Sequence, residues 1–206
     1  MMSTAISDAT SRTRGRPRAF DMDAALAKAL RVFSERGYHA ASISELTEAM
    51  ELTSGSVYKA FKDKRGVFLA AFDRYRAIRR DLLDTRLAKV GSGRDKVREL
   101  LVSYAISSHG VSGRQGCLVV GSANELAIFD EEAAQRVAAA FDANETHLRD
   151  LIRLGQEDGS ISTAIDSAVT ARALLCLTAG MRVVGKTGRS ETDMATVAEQ
   201  AMKLLT

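Results

Sequence analysis

Apolar residues recur every three or four positions along most of this chain, which is the period of an α-helix with one buried face. Leu26, Leu30 and Phe33 begin the pattern between Asp21 and Gly37, which are typical start and stop residues of a helix. With one proline and no tryptophan, the chain is predicted to be all-α. The later predicted helices cover residues 64–90, 94–108, 117–129, 131–154, 166–186 and 191–205, with glycine-containing breaks at 110–116, 155–159 and 188.

Two short amphipathic patterns, separated by a tight break, follow this first helix. In the first of them, Ile43, Leu46 and Met50 share one face, and Ser42 or Ser44 can accept hydrogen bonds from the free N–H groups at the helix start. Two short helices joined by a tight turn form a helix-turn-helix, the motif that places its second helix in the major groove of DNA.

The second short pattern begins with small polar residues, which allow a helix to lie deep in a groove. Thr53 or Ser54 can cap this helix, and Val57 and Phe61 lie four apart, so both side chains pack inward. Gly55 is either a loop glycine or a point where the backbone approaches a phosphate or a base. The opposite side carries Ser54, Ser56, Tyr58 and Lys59.

The segment spanning residues 20–75 resembles the N-terminal DNA-binding domain of the TetR family of transcriptional regulators. The resemblance rests on the small polar run that ends at Tyr58, followed by Phe61 and Lys64. Glu51 is a departure, because the family often has glycine in this turn and glutamate tolerates a left-handed backbone poorly. The resemblance implies phosphate contacts by Thr53, Ser54, Tyr58, Lys59 and Lys64 and close approach to bases by Gly55 and Ser56, and Ser42 is a further candidate for the DNA-binding surface.

The excess of positive charge lies near the N-terminus. Residues 1–65 carry eleven Lys and Arg against eight Asp and Glu, whereas the rest of the chain carries eighteen of each. The arginines concentrate where no core can form, so they belong either to an arm that binds DNA, through Arg14, Arg16 and Arg18, or to a solvated tail. The predicted domains are a disordered basic arm over 1–19, a helix-turn-helix domain over 20–65 and a helical regulatory and dimerisation domain over 66–206.

Composition predicts a soluble cytoplasmic protein. The chain is 46% hydrophobic and 27% charged, which is ordinary for a globular domain. By our count, no apolar run approaches the ~20 residues that a transmembrane helix needs, and the first residues lack the hydrophobic core of a secretion signal. We therefore expect no membrane partner.

The central region, residues 94–165, is predicted to hold a sensing site. Cys117 follows a glycine at a predicted helix start, where a thiol ionises more readily, and the Gly-Cys-Leu run resembles a TetR subgroup in which some members sense oxidants or electrophiles. The alternative is that Cys117 is a buried small hydrophobe, as predicted for Cys176. The candidate ligand-binding residues are Tyr104, His109, Cys117, Asn124, Glu125, Phe129, Phe141 and His147, with Asn124 and Glu125 as the polar anchor.

Other polar side chains carry weaker signals. The three histidines lie far apart, with no Cys or carboxylate at metal-ligand spacing, so neither a metal site nor a cofactor is predicted. A solvated face is predicted for four arginines of the long fourth helix, Arg74, Arg76, Arg79 and Arg80. As an alternative, Arg76 or Arg79 can meet acidic residues of the second domain.

The two C-terminal helix patterns each have an apolar stripe. Small residues allow close contact between helices, so two such helices from each of two chains predict a homodimer with two-fold symmetry and a palindromic operator. The alternative is that both stripes pack inside one monomer. The predicted interface residues are Val169, Ala173, Leu177 and Met181 on one helix and Met194, Val197, Ala201 and Leu204 on the other.

These patterns predict a DNA-binding regulator, and the resemblance to the TetR family implies a ligand-responsive transcriptional regulator, most often a repressor. It would bind double-stranded operator DNA as a homodimer, and a small molecule or a thiol modification would release it. Two alternatives belong to other classes: a non-specific architectural DNA-binding protein, and a thiol-dependent peroxidase that uses Cys117. By spacing, no catalytic group of side chains is predicted, so we do not expect an enzyme.

Overall fold

The computed structural model describes residues 21–126 and 130–206, and within these ranges every regular element is helical. The predicted all-α fold is therefore confirmed. Short 3-10 turns follow two of the helices, at Gly185–Thr187 and Met202–Leu205. The α-helices are α1 (Met22–Ala40), α2 (Ile43–Ala49), α3 (Ser54–Phe61), α4 (Lys64–Leu87), α5 (Gly93–Ser107), α6 (Gly110–Gln115), α7 (Leu118–Glu125), α8 (Glu131–Glu157), α9 (Ser167–Val184) and α10 (Glu191–Ala201).

Side-chain caps fix the starts of the two short helices. Ser42 caps α2 in a capping box, in which its hydroxyl accepts the Glu45 N–H and its own N–H donates to the Glu45 carboxylate. Thr53 caps α3 by accepting the Ser56 N–H at 3.2 Å. Of the alternatives left open by the sequence, the structure thus uses Ser42 and Thr53.

The first hydrophobic core joins the N-terminal helices to the body of the protein. Phe33 is buried, and its ring packs edge-on against Phe68 with 5.2 Å between ring centroids. Leu118 and Val119 of α7 and Val137 of α8 belong to the same core. The N-terminal head, formed by α1 to α3, therefore packs directly on α7, and α4 is not its sole connection to the body formed by α5 to α10.

The second core lies between α5, α8, α9 and α10, where Leu101, Ile152 and Leu174 are fully buried. Helices α5 and α8 touch at two glycines. A Cβ atom on Gly93 would lie 2.1 Å from the backbone nitrogen of Gly155, so only glycine permits this crossing. This core positions α8 and α9, which both border the cavity described below.

Two predicted segments differ from the structure. Residues 110–116, predicted as a break, contain the short helix α6, which starts at Gly110 with a positive φ of 58°. The helix predicted over 117–129 is shorter, since α7 ends at Glu125, and residues 127–129 lie outside the described ranges. Glycine-rich composition hid α6, because glycine has low helix propensity.

Helix α9 carries an outward-facing apolar stripe. The segment Ser167–Thr187 is long and apolar enough to cross a membrane by length and composition, contrary to our expectation, a property that core helices of soluble proteins share. Of its most apolar 18 residues, 33% are buried. Val169 is 61% exposed, and Ala173 and Val183 are exposed as well. Cys176 is also exposed, which corrects its assignment to the core.

The predicted interface stripes are only partly available for contact. Met181, Met194 and Ala201 are buried within the protomer and cannot form an interface. These three residues are buried because α9 and α10 also pack on the second core. The predicted residues that remain at least partly exposed are Val169, Ala173, Leu177, Val197 and Leu204.

Candidate DNA-binding surface and ligand cavity

The outer face of α3 is polar and accessible. Val57 is completely buried and Phe61 nearly so, which confirms that these two residues anchor the helix. On the opposite side, Tyr58 is 51% exposed and Lys59 is exposed beside it. Thr53 and Ser56 hold each other through a 2.9 Å hydrogen bond between their hydroxyls. This face therefore offers hydroxyls, a phenol and an ammonium group to a partner.

Gly55 has no packing role among the described residues. None of them would lie within 4 Å of a Cβ atom at this position, although glycine costs a helix interior roughly 1 kcal/mol against alanine. The backbone around it is exposed at the start of α3. No neighbour in the described part of the chain accounts for the glycine.

Glu51 adopts the left-handed backbone that its position requires. Its φ is 56°, and its N–H donates to the Glu48 carbonyl at 3.0 Å, which closes the turn between α2 and α3. Lys28 lies 2.7 Å from the carboxylate and lowers the pKa of Glu51 through a hydrogen bond. The turn of a helix-turn-helix therefore forms without glycine.

Lys64 differs from its predicted role as a phosphate contact. Its ammonium group donates to the carbonyl oxygens of Tyr38 and Ala41, each at 3.0 Å, and to that of His39 at 3.4 Å. It also lies 4.5 Å from the centre of the Tyr38 ring. A cation at the C-terminus of a helix satisfies its free carbonyls, so Lys64 acts as a cap of α1.

The remaining predicted DNA contacts have mixed positions. Ser42 is exposed, but its hydroxyl takes part in the capping box. Sequence reasoning passed over Lys62, which is exposed directly after α3 and has a positive φ of 72°. Arg14, Arg16 and Arg18 lie outside the described residues.

A cavity of about 330 Å³ lies in the body between α4, α5, α7, α8 and α9. Its apolar lining includes Leu83, Val119 and Leu175. Four of the predicted ligand-binding residues line it, namely Tyr104, Cys117, Phe141 and His147.

The other predicted ligand residues lie elsewhere. His109 precedes α6 and Asn124 is exposed, and neither lines the cavity. Glu125 faces the N-terminal head, so Asn124 and Glu125 are not the polar anchor of this cavity. Phe129 lies outside the described residues. The spacing that placed Asn124 and Glu125 on a pocket helix could not show which neighbour that helix end meets.

Two buried phenols border Cys117. The Tyr75 hydroxyl donates to the Cys117 sulfur at 3.5 Å. Burial raises the pKa of Tyr104 to about 12 and raises the pKa of Tyr75 further. Burial also lowers the pKa of His147, with Arg80 adding to the effect. At neutral pH Tyr75, Tyr104 and His147 are therefore uncharged, and both phenols are hydrogen-bond donors.

Sequence reasoning did not assign to the cavity any of the four arginines that line it, which are Arg76, Arg79, Arg80 and Arg182. Arg182 is 5% exposed and donates to the Gly116 carbonyl, while its Nη1 atom has no hydrogen-bond partner among the described residues. Arg79 donates to the Ser107 hydroxyl at 2.5 Å, which corrects its placement on a solvated face. The sequence signal for Arg182 was its charge within the apolar pattern of α9, because arginine is seldom fully buried unless it is paired.

Helix α7 connects the cavity to the N-terminal head. Its first turn borders the cavity, and its last residue, Glu125, accepts the Tyr38 N–H at 2.9 Å. The contact is tight, because a Cβ atom on Gly37 would lie 2.6 Å from the Glu125 carboxylate. His39 Nε2 also lies 3.2 Å from the Glu125 carbonyl oxygen. A movement of α7 would therefore act directly on the end of α1.

A second connection joins the start of α4 to the start of α8. Arg65 Nη2 lies 3.0 Å from the Asp130 carboxylate and 2.8 Å from that of Glu132. The hydrogen bond from Arg65 lowers the pKa of Asp130 and contributes to the lowered pKa of Glu132. Arg65 directly follows Lys64, which caps α1, so this ion pair also acts on the head.

A helix-turn-helix head packed on a helical body with a cavity is the arrangement expected of a one-component transcriptional regulator. The sequence matches two family models: bacterial regulatory proteins of the tetR family over residues 25–71, and the tetracyclin repressor-like C-terminal domain over residues 93–201. The chain belongs to the TetR family of bacterial transcriptional regulators. The resemblance found in the sequence is thereby confirmed.

Relatives and solved structures agree with this family. The chain is 28% identical over 211 residues to the HTH-type transcriptional repressor ComR of Escherichia coli (strain K12), covering 98% of this chain and 97% of ComR. It is 28% identical over 171 residues to the transcriptional regulator AcuR of Cereibacter sphaeroides, covering 78% and 76%. A cysteine mutant of the TetR family regulator CifR, complexed with 26-base-pair operator DNA, is 32% identical with a TM-score of 0.79, covering 91% of this chain and 98% of that one.

Proposed function

We propose that the protein is a ligand-responsive repressor that binds a palindromic operator as a homodimer and releases it when a small molecule occupies the cavity. The observation that carries this proposal is the position of α7, which borders the cavity at its start and contacts the end of α1 through Glu125. The repressor ComR, which covers nearly the whole chain, supports the sign of regulation. Such a protein would act on DNA in the cytoplasm.

The exposed face of α3 is the proposed reading surface. Its polar residues stand free of the core, and Gly55 leaves room for the backbone to approach a base or a phosphate. Lys62 adds a cation at the end of the helix. The proposed DNA contacts in the described residues are Thr53, Ser54, Gly55, Ser56, Tyr58, Lys59 and Lys62, with Ser42 at the edge of the surface and Arg14, Arg16 and Arg18 in the N-terminal arm.

Ligand binding would act through the two connections between body and head. A ligand that fits the cavity better when α7 is displaced favours that arrangement, and Glu125 then no longer holds Tyr38 in its present position. Both recognition helices of a dimer must match half-sites about one DNA turn apart, so a change in the spacing of the heads lowers operator affinity. A differential affinity of a few kcal/mol suffices for a large change in occupancy.

Selection of duplexes from a random DNA pool by the purified full-length protein tests the DNA-binding function. We expect enrichment of a palindromic motif at near-physiological salt, because a two-fold dimer presents two identical reading helices. A Lys59→Met variant should bind the selected site and other DNA sequences more weakly to the same degree. Its DNA affinity should also fall less steeply with salt concentration, as expected for the loss of a phosphate contact. Its control is Lys203→Met, which replaces an exposed lysine near the C-terminus. Enrichment without any motif would instead indicate a non-specific architectural protein.

Thiol modification is a second route to release, favoured by the position of Cys117 in the cavity wall beside the Tyr75 hydroxyl. We expect one equivalent of a mild alkylating electrophile to modify Cys117 and to weaken operator binding at least tenfold, while a Cys117→Ser variant keeps its affinity under the same treatment. Both proteins carry Cys176→Ser, because Cys176 is exposed on α9 and its modification would compete with that of Cys117. Complete modification of Cys117 with unchanged operator affinity would rule out the sensor. Peroxide turnover beyond one equivalent would favour the peroxidase alternative.

A further inference from the structure

The cavity in the body is unbalanced in charge. Arginine contributes four of the described residues that line it, and none of them is aspartate or glutamate. Among the four, Arg80 has a partner in Asp84, which lies outside the lining. Arg79 and Arg182 instead donate to uncharged oxygens, the Ser107 hydroxyl and the Gly116 carbonyl. Two guanidinium groups thus face a partly apolar cavity without an acidic partner among the described residues.

Arg182 carries the strongest signal. A guanidinium group that is 5% exposed has lost its hydration, which is costly unless an anion or several hydrogen bonds replace the water. One of its terminal nitrogens, Nη2, is held by the Gly116 carbonyl, while the other, Nη1, is buried without a partner among residues 21–126 and 130–206. The group is therefore fixed in place with a free donor. The planar fork of arginine matches the two oxygens of a carboxylate.

The groups around Arg182 favour a carboxylate over a larger anion. Tyr75 and Tyr104 keep their protons at neutral pH and are donors, and both line the same cavity as Arg79 and Arg182. The volume of about 330 Å³ lies at the lower end of the range of roughly 300–1,000 Å³ for ligand pockets, so the ligand is small. Phe141, with several aliphatic side chains, surrounds the rest of the space.

We propose that the cavity binds a small apolar carboxylic acid in its ionised form, with the carboxylate on Arg182 and Arg79 and the hydrocarbon part against Phe141 and the aliphatic wall. This inference rests on the proposed function in assigning such an acid as the inducer, and it adds the chemical class of the ligand. The acid supplies the counter-charge that the buried guanidinium groups lack. It also bridges α4 and α9 at the level where α7 begins.

Calorimetric titration of the full-length protein with benzoate and with benzamide tests this assignment, because the two probes share shape and differ in charge. We expect benzoate to bind at least tenfold more tightly than benzamide, since hydrogen bonds to charged groups are roughly twice as strong as neutral ones. Cyclohexanecarboxylate should behave like benzoate. Equal affinity for the acid and the amide, or no binding of either acid at about 10 mM, would overturn the proposal.

Variants separate the two arginines from general charge effects. Arg182→Met should weaken benzoate binding at least tenfold and leave benzamide binding unchanged, and Arg79→Met should weaken benzoate binding to a lesser degree. Arg153→Met is the matched control, because it removes an exposed arginine on α8 that does not line the cavity. If circular dichroism shows that Arg182→Met does not fold, the proposal is tested by comparing benzoate with benzamide on the parent protein and on the Arg79→Met variant. Unchanged benzoate affinity in both arginine variants would contradict the assignment.

Operator release is measured separately from ligand binding. Addition of benzoate to the protein on its selected operator should weaken DNA binding in the parent and not in Arg182→Met. Benzoate binding without any release supports the carboxylate site and counts against its role as the inducer site. Failure to select an operator leaves the calorimetric result intact, so the two proposals fail independently.

Discussion

Replacing Gly66 with alanine is expected to destabilise the N-terminal head by about 3 kcal/mol, in the upper part of the range for atoms forced into a packed site, and to abolish operator binding. Gly66 lies in the first turn of α4, where its N–H donates to the Asp63 cap at 2.7 Å. A Cβ atom on Gly66 would lie 1.8 Å from the Phe61 carbonyl oxygen. Because that oxygen belongs to the backbone, no change of rotamer relieves the overlap, and α3 must move relative to α4.

The control for this prediction is the same substitution at Gly55, eleven residues earlier. There the added methyl group meets none of the residues that the structure describes within 4 Å, and alanine favours the helix by roughly 1 kcal/mol. Urea unfolding should therefore shift in opposite directions for the two variants. Gly55→Ala should keep the fold and lose operator affinity, since its methyl group occupies the space proposed for a base or a phosphate. A Gly66→Ala variant as stable as the parent would show that the joint between α3 and α4 is looser than the structure indicates.

Local sequence patterns predicted the helices and their caps well. Periodicity located α4, α5, α8, α9 and α10 to within a few residues, because each buries one stripe against a core. The inward positions of Val57 and Phe61 followed from their spacing alone. The helix that periodicity did not predict is α6, which begins at Gly110. Its segment is rich in glycine, a composition that is typical of loops.

The roles of charged side chains could not be predicted in this way. Lys64 binds carbonyl groups, which every residue has, so no pattern of residue types marks its partners. Glu125 meets the Tyr38 N–H, which is 87 residues away in the chain. Arg182 lies among apolar neighbours, and its burial depends on the packing of α9 against the body. These contacts depend on tertiary structure, and they include the connections that we propose to transmit the signal.

The exposed stripe of α9 leads to the second prediction with a large effect. The stripe comprises Val169, Ala173, Cys176 and Val183, which recur at helical spacing and leave most of an apolar helix uncovered in the protomer. An exposed contiguous apolar surface of this kind marks an interface. A two-fold interface brings the same helix of both protomers together, so one acidic substitution places a buried like charge on both sides of the interface.

Ala173→Asp is therefore expected to convert the proposed homodimer to a monomer and to weaken operator binding at least a hundredfold. A dimer holds its second head near the second half-site at high effective concentration, and a monomer loses this advantage without losing any contact of the first head. Sedimentation velocity at micromolar protein and titration of the selected operator measure the two effects. The matched control is Ala139→Asp, an exposed alanine of α8, which should leave both unchanged. If Ala173→Asp stays dimeric with full operator affinity, α9 does not form the interface, and its apolar stripe requires a different partner.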